Sequence, residues 1–228
     1  ALEKNYGGLI KGQILGAGER KKRAETAKDR ARMFSFKNGM QTLPDSIAKA
    51  LGARIKTNVS VGKIERSKSS NGAGDSYEIL GAENGRAFSI TCNSVVLAIP
   101  SFHAADLIEP FDVSVAQSLK KIYYPPVAEV FLGFRKEDVV RPLDGFGFLV
   151  PVKEKRKILG SIWSSSIFPN RAPNHAVALT SFIGGSRQSE LTQQSDEDLI
   201  QVASRELHDL IQVNGTPIYS KVTRWDRA

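Results

Sequence analysis

One cysteine, two methionines, two tryptophans and three histidines are all this 228-residue chain contains of those types. Cys92 has no partner for an internal disulfide and no C-x-x-C spacing, so it reads as a small buried residue beside a strand. His103, His175 and His208 are spread too widely for a metal cluster or a hydrolytic triad, and read as surface or capping residues. No apolar run approaches the roughly 20 residues that a membrane-spanning helix needs. The first residues do not look like a signal peptide. No internal repeat shows, and no nucleic-acid module signature is present.

Positive charge is in surplus. Thirty-two Lys and Arg against 24 Asp and Glu give +8, which points to nucleic acid, an anionic membrane surface or a carboxylate-bearing substrate as partner. Much of the excess lies at Arg20-Lys21-Lys22-Arg23 and runs on through Lys28, Arg30 and Arg32. Glu19, Glu25 and Asp29 interrupt it, as on a solvated helix with mixed pairs, and no aromatic residues interleave with it. The nucleic-acid reading is therefore set aside.

Pattern and punctuation predict the elements. Residues 1–32 look helical, with glycine breaks. Thr42-Leu43-Pro44-Asp45 resembles a helix start with a Thr cap, and Gly52 ends that helix. Strands are expected over 54–61 (extending toward Ile64), 76–80 and 87–91, the last two joined by an Asn84-Gly85 hairpin turn. Residues 69–74 read as a flexible surface loop. Val95-Val96-Leu97-Ala98-Ile99 is apolar on both faces, the pattern of a strand covered on both sides, and Ser101 is placed to cap a following helix. Helices over 103–108 and 113–121 and a strand over 127–134 come next. An amphipathic helix starts at Ser195, with Leu199, Val202, Leu207, Leu210 and Ile211 as its buried stripe, and a last strand covers 217–225.

Residues 145–185 hold three extended, apolar, Gly-punctuated runs: 145–151, 157–169 and 180–185. Short polar connections join them, as in an antiparallel meander. Glycine inside a strand leaves room for another backbone or a flat ligand, so the sheet is expected to present a hydrophobic slot. Gly147 and Leu149 fall on one strand face, Phe146 and Phe148 on the other.

Six runs, in order and spanning essentially the whole chain, resemble the protoporphyrinogen oxidases of the flavin-dependent amine oxidase superfamily. They are the runs at 6–12, 34–44 and 95–101, GFG-x-LVP at 145–151, LG-x-I-x-SSS-x-FP-x-RAP at 159–173, and F-IGGSR at 182–187. The implied fold class is α+β / α/β. It comprises part of an FAD-binding α/β domain plus a substrate domain with an antiparallel sheet flanked by helices. The implied division is a helical segment of the substrate/membrane-facing region at 1–32, a partial flavin domain at 33–103, a substrate domain at 104–223 and a return toward the flavin domain at 224–228.

The implied activity is hydride transfer from protoporphyrinogen IX to FAD, with electrons passed on to oxygen or another acceptor. No side-chain nucleophile is required, because the cofactor does the hard step. Phe146 and Gly147 match positions lining the macrocycle. Leu149 and Ile162 match an aliphatic pair against the pyrrole rings, and Phe182 a residue stacking on another ring. Val61 matches a strand position whose main chain meets the FAD adenine. All five slot residues also admit a plain sheet-core reading, and Val61 that of a buried strand residue. Implied partners are a tetrapyrrole, a peripheral membrane surface and, at full length, a second copy of the chain. A cytoplasmic setting is expected, with an organelle left open.

The 228 residues contain no Gly-x-Gly-x-x-Gly turn: Gly16-Ala17-Gly18 and Gly72-Ala73-Gly74 each lack the third glycine and a preceding strand. The chain therefore reads as the middle of a longer enzyme, not retaining FAD by itself. A sibling flavin amine oxidase or desaturase acting on another hydrophobic molecule, or a flavin-free tetrapyrrole-binding protein, are the alternatives.

Overall fold

The computed structural model describes residues 34–67 and 74–228. The expected helix over 1–32, its basic run and most of the expected loop over 69–74 lie outside them. The chain divides into two units, residues 1–51 and 52–228. Of the first, α1 (Thr42–Leu51) is described. Thr42 is its first helical residue rather than a cap, and its carbonyl accepts from Ser46 Oγ at 2.6 Å.

The second unit opens with a three-stranded antiparallel sheet in sequence order: β1 (Val59–Ser67), β2 (Ser76–Glu83) and β3 (Arg86–Cys92). β1 begins later than its apolar pattern suggests. Gly52–Arg54 coils into a 3-10 turn, and Asn58 sits at φ 56°, outside extended geometry. Asn84 and Gly85 both take positive φ (50° and 79°) between the paired Glu83 and Arg86. This matches the backbone that the Asn-Gly dipeptide favours in a two-residue hairpin. Cys92, at the end of β3, is half-buried rather than a core residue.

Residues 94–99 correct the expectation of a buried strand. No strand among the described residues pairs with them, and Val96 is 90% exposed. An all-apolar run records that a segment favours cover on both faces; it does not supply the covering layers.

Helices α2 (Ser101–Ile108) and α3 (Val113–Lys120) follow. Asp112 caps α3, accepting from Val115 N. Ser101 does not cap α2. It lies in the first turn, and its backbone N–H donates to the Tyr124 hydroxyl at 3.0 Å. The first N–H groups of a helix need an external acceptor, and Pro100, at the cap position, has no side chain to offer one. That hydrogen bond also holds the Tyr124 pKa below its usual value. Tyr124→Phe is expected to lower stability, because it orphans this donor. Chemical denaturation at unchanged m-value checks it.

The remainder forms one five-stranded antiparallel sheet, built from β4 (Val127–Arg135), β5 (Gly147–Leu149), β6 (Ile158–Ile162), β7 (Ala176–Gly184) and β8 (Tyr219–Trp225), with the short helix α4 (Ser164–Ile167) between β6 and β7. The spatial order is β5-β6-β7-β4-β8, so β4 lies between two strands that follow it in sequence. One face is the core. Ala128, Val130, Leu132 and Phe134 alternate down β4, and Val177, Leu179 and Ile183 down β7, all packed with Leu199, Ala203, Leu207 and Ile211 of α5 (Asp196–Ile211). Val202 and Leu210, expected in that stripe, pack at its margin.

Ser195 caps α5 by accepting from Asp198 N, and three acids occupy the helix's positive end. Arg224 of β8 pairs with Asp196 and donates to the Thr192 carbonyl at 3.0 Å, tying the sheet edge to the helix start. The buried carboxylate of Glu206 accepts from Lys157 N at 3.0 Å and faces Arg156, which also pairs with Asp209 at 2.9 Å. His208 Nδ1 lies 3.1 Å from the Val213 carbonyl just beyond the helix end, a capping place rather than a catalytic one. No helix among the described residues is long and apolar enough to cross a membrane.

Candidate substrate slot

The second face of the five-stranded sheet is assembled by register. Leu149 pairs with Gly160, Gly160 with Phe182, and Phe182 with Glu129, forming one row across four strands. The next row runs Gly147, Ile162, Thr180, Phe131. A bulge between Ile158 and Gly160 sets this arrangement. It lets Ile158 face the core while Gly160 and Ile162 face outward.

On this face lies a cavity of about 450 Å³. Phe146, Gly147, Leu149, Ile162 and Phe182 all line it, with Val127, Phe148, Leu159, Gly160 and Ser161. The five residues singled out from the sequence therefore meet in one place. The plain-core reading does not describe them: Leu149 is 87% exposed and Phe146 52%, whereas the core on the opposite face is closed. Exposed aliphatic and aromatic side chains gathered around a concavity mark a place for an apolar ligand.

Two expectations need correction. The glycines do not hold a gap open for a ligand; neighbouring backbone fills it. A Cβ at Gly147 would meet the Ser161 carbonyl and sit 2.9 Å from Ile162 Cα, and one at Gly160 would sit 3.2 Å from Leu149 Cα. They let β5 and β6 close tightly, so that the larger side chains form the lining. Simple alternation also fails at Phe146. It precedes β5, and Gly147 at φ 140° turns the chain, so Phe148 packs on the core while Phe146 is half-exposed on the cavity.

Sequence reasoning missed Val127, Leu159 and Glu129. Val127 and Glu129 reach the slot face through the pairing of β4 with β7, a contact between segments some fifty residues apart that no local pattern encodes. The Glu129 side chain makes no hydrogen bond or ion pair with the described residues.

Val61 does not join the slot. It lies on β1, 41% exposed, opposite Gly81 and beside the bulge that precedes Lys63. β1 is an edge strand of this sheet, so its outer backbone groups have no strand partner among the described residues. No metal-binding group of His, Cys, Asp or Glu occurs among the described residues.

Residues 2–228 match the family described as flavin containing amine oxidoreductase, and the chain belongs to that family of oxidoreductases, whose cofactor is FAD. It is 33% identical to protoporphyrinogen oxidase 1, chloroplastic, of Arabidopsis thaliana over all of its length and 44% of that protein's. It is 34% identical to the mitochondrial protoporphyrinogen oxidase of Nicotiana tabacum, again over all of its length and 48% of that protein's. The chain thus spans under half the length of these two relatives. A crystal structure of an Exiguobacterium sp. 255-15 protein provisionally named protoporphyrinogen oxidase shares the fold. Its TM-score is 0.67 at 20% identity, over 97% of this chain and 44% of that one. The expected fold class stands.

Proposed function

We propose that the full-length protein oxidises protoporphyrinogen IX to protoporphyrin IX, and that the slot on β5, β6 and β7 is the wall against which the macrocycle lies. The observation that carries this reading is the convergence of Phe146, Gly147, Leu149, Ile162 and Phe182 on one apolar cavity, with Leu149 left exposed. A porphyrinogen is broad and greasy at its centre, and a face built from aromatic and aliphatic side chains matches that surface. FAD, when bound, would supply the hydride-accepting chemistry. The residues of this chain supply position: Phe182 and Phe146 offer ring faces, Leu149 and Ile162 hold the pyrrole edges, and the apolar lining excludes water. The relatives' names support this choice of substrate over that of a sibling amine oxidase or desaturase, as do the SSS-x-FP-x-RAP and F-IGGSR runs.

The residues present fit FAD only in part. Val61 on the open edge of β1 is suited to the adenine, but the 228 residues hold no glycine-rich phosphate turn. Purified as these 228 residues, the protein is therefore expected to hold FAD weakly. Stoichiometric flavin absorbance after desalting would contradict this. It would favour a flavin-binding mode that does not use the usual turn.

The same reading assigns 33–103 to the flavin side and 104–223 to the substrate side, with 224–228 leading back. It places 1–32, with its basic run, toward an anionic membrane surface, in the cytoplasm or an organelle, and allows a homodimer at full length. The test of the activity itself is porphyrin fluorescence developing from protoporphyrinogen with full-length protein and FAD. Absence of turnover with fully flavinylated protein would overturn it.

A further inference from the structure

A second cavity, of about 550 Å³, lies at the other end of β7. Its lining runs along Lys136–Leu143 and Ser165–Val177, whereas the slot is centred on Phe182. Val177 and Phe182 are five residues apart on one strand, about 17 Å. The two cavities share no residue. The second one contains the SSS-x-FP-x-RAP segment, whose chemistry the tetrapyrrole slot does not use.

Its lining has one charge sign. Lys136, Arg141 and Arg171 border it, and no carboxylate does. Three acids adjoin lining residues in sequence, Glu137, Asp138 and Asp144; none of them lines the cavity, and Asp138 turns its carboxylate against Gly215. The side chains of Lys136 and Arg141 are exposed and make no ion pair or hydrogen bond with the described residues. Arg171 already has a partner, which leaves Lys136 and Arg141 as the cations open to a ligand. Neutral donors stand beside the cations. Ser165 Oγ accepts from Ala178 N at 3.0 Å, which leaves its own O–H proton to donate. Asn170, at φ 62°, puts an amide on the wall where the loop turns. Pro142 and Leu143 add an apolar flank.

We propose that this cavity is an anion site, taking a small molecule that bears a phosphate or carboxylate group. A single exposed cation attracts an anion weakly. Several of one sign around a concave space raise the local anion concentration, and a free guanidinium matches phosphate or carboxylate with two parallel hydrogen bonds. The volume is that of a small-molecule site. The assignment is independent of the tetrapyrrole reading, since it uses different residues and a different ligand class.

Isothermal titration of the full-length protein with inorganic pyrophosphate, at ionic strength held constant with chloride, tests it. Wild type is expected to saturate at one site. Lys136→Gln/Arg141→Gln is expected to bind at least tenfold more weakly, with unchanged circular dichroism and unchanged porphyrin binding at the slot. Should the double variant lose structure, Arg141→Glu alone carries the same expectation, and Lys136→Arg, which keeps the charge, is expected to retain binding. Equal affinity in the charge-removed variants would overturn the proposal, as would an absence of saturable pyrophosphate binding. Binding to phosphatidylglycerol vesicles that depends on these cations, without a pyrophosphate site, would also overturn it in favour of a membrane contact.

Discussion

Gly147→Ala is expected to destabilise the protein by on the order of 3 kcal/mol and to abolish porphyrin binding at the slot. Two costs add at this residue. Its φ of 140° is a conformation that side-chain-bearing residues rarely adopt, and its Cβ would run into the Ser161 carbonyl and the backbone at Ile162. Backbone cannot rotate away as a flexible side chain can, so the strain is relieved by separating β5 from β6. β5 is three residues long and sits at the sheet edge, paired with β6 alone. Separating it withdraws Phe146 and Leu149 from the slot and uncovers Phe148, which packs against the core. Thermal unfolding is expected about 6–12 °C below wild type for a domain of this size. Gly62→Ala is the matched control: its Cβ would meet nothing nearer than the Leu80 carbonyl at 4.0 Å, so it is expected within about 0.5 kcal/mol of wild type. A Gly147→Ala protein that melts with wild type would refute this account of how the slot wall is held.

The second large effect belongs to Phe182. Truncation to alanine in the full-length enzyme is expected to raise KM for protoporphyrinogen roughly thirtyfold, about 2 kcal/mol of lost ring contact, with FAD content unchanged. Phe182 is half-buried toward the C-terminal end of β7, the central strand of the sheet, and its neighbours Ser181 and Ile183 face the closed core, so the strand itself is expected to persist. Some stability is lost with the ring, and that makes Leu149→Ala the sharper comparison. Leu149 is 87% exposed, so removing it costs the fold almost nothing. A slot role predicts weaker substrate binding at an unchanged melting temperature. A merely structural role predicts the reverse, a small stability change with kinetics intact. Unchanged steady-state kinetics in Phe182→Ala would sink the role given to that ring.

What the sequence discloses divides along physical lines. Features whose cause is local are legible: the Asn84-Gly85 turn, the Ser195 cap with its acids, and the strand at β4. Features whose cause is a distant partner are not. Tyr124 supplies the acceptor for the start of α2 from 23 residues away, where the sequence points to Ser101. The apolar run at 94–99 is written for a covering layer that the described residues do not provide. The slot itself sits between these cases. Its five residues were legible through a family pattern; alternation within β5 put Gly147 and Leu149 on one face but misplaced Phe146. The row that joins Leu149, Gly160, Phe182 and Glu129 needed the bulge in β6 and the insertion of β4 beside β7, both settled by tertiary pairing. Glycine misled in one respect. Its presence in β5 and β6 signals close approach, and strand–strand contact rather than ligand contact is what approaches.

The central claim is that a tetrapyrrole lies on the outward face of β5, β6 and β7. A crystal structure of the full-length protein with protoporphyrin IX tests it most directly. The account predicts the ring in contact with Phe146, Leu149, Ile162 and Phe182. A porphyrin bound elsewhere, with these four side chains free of it, would contradict the account.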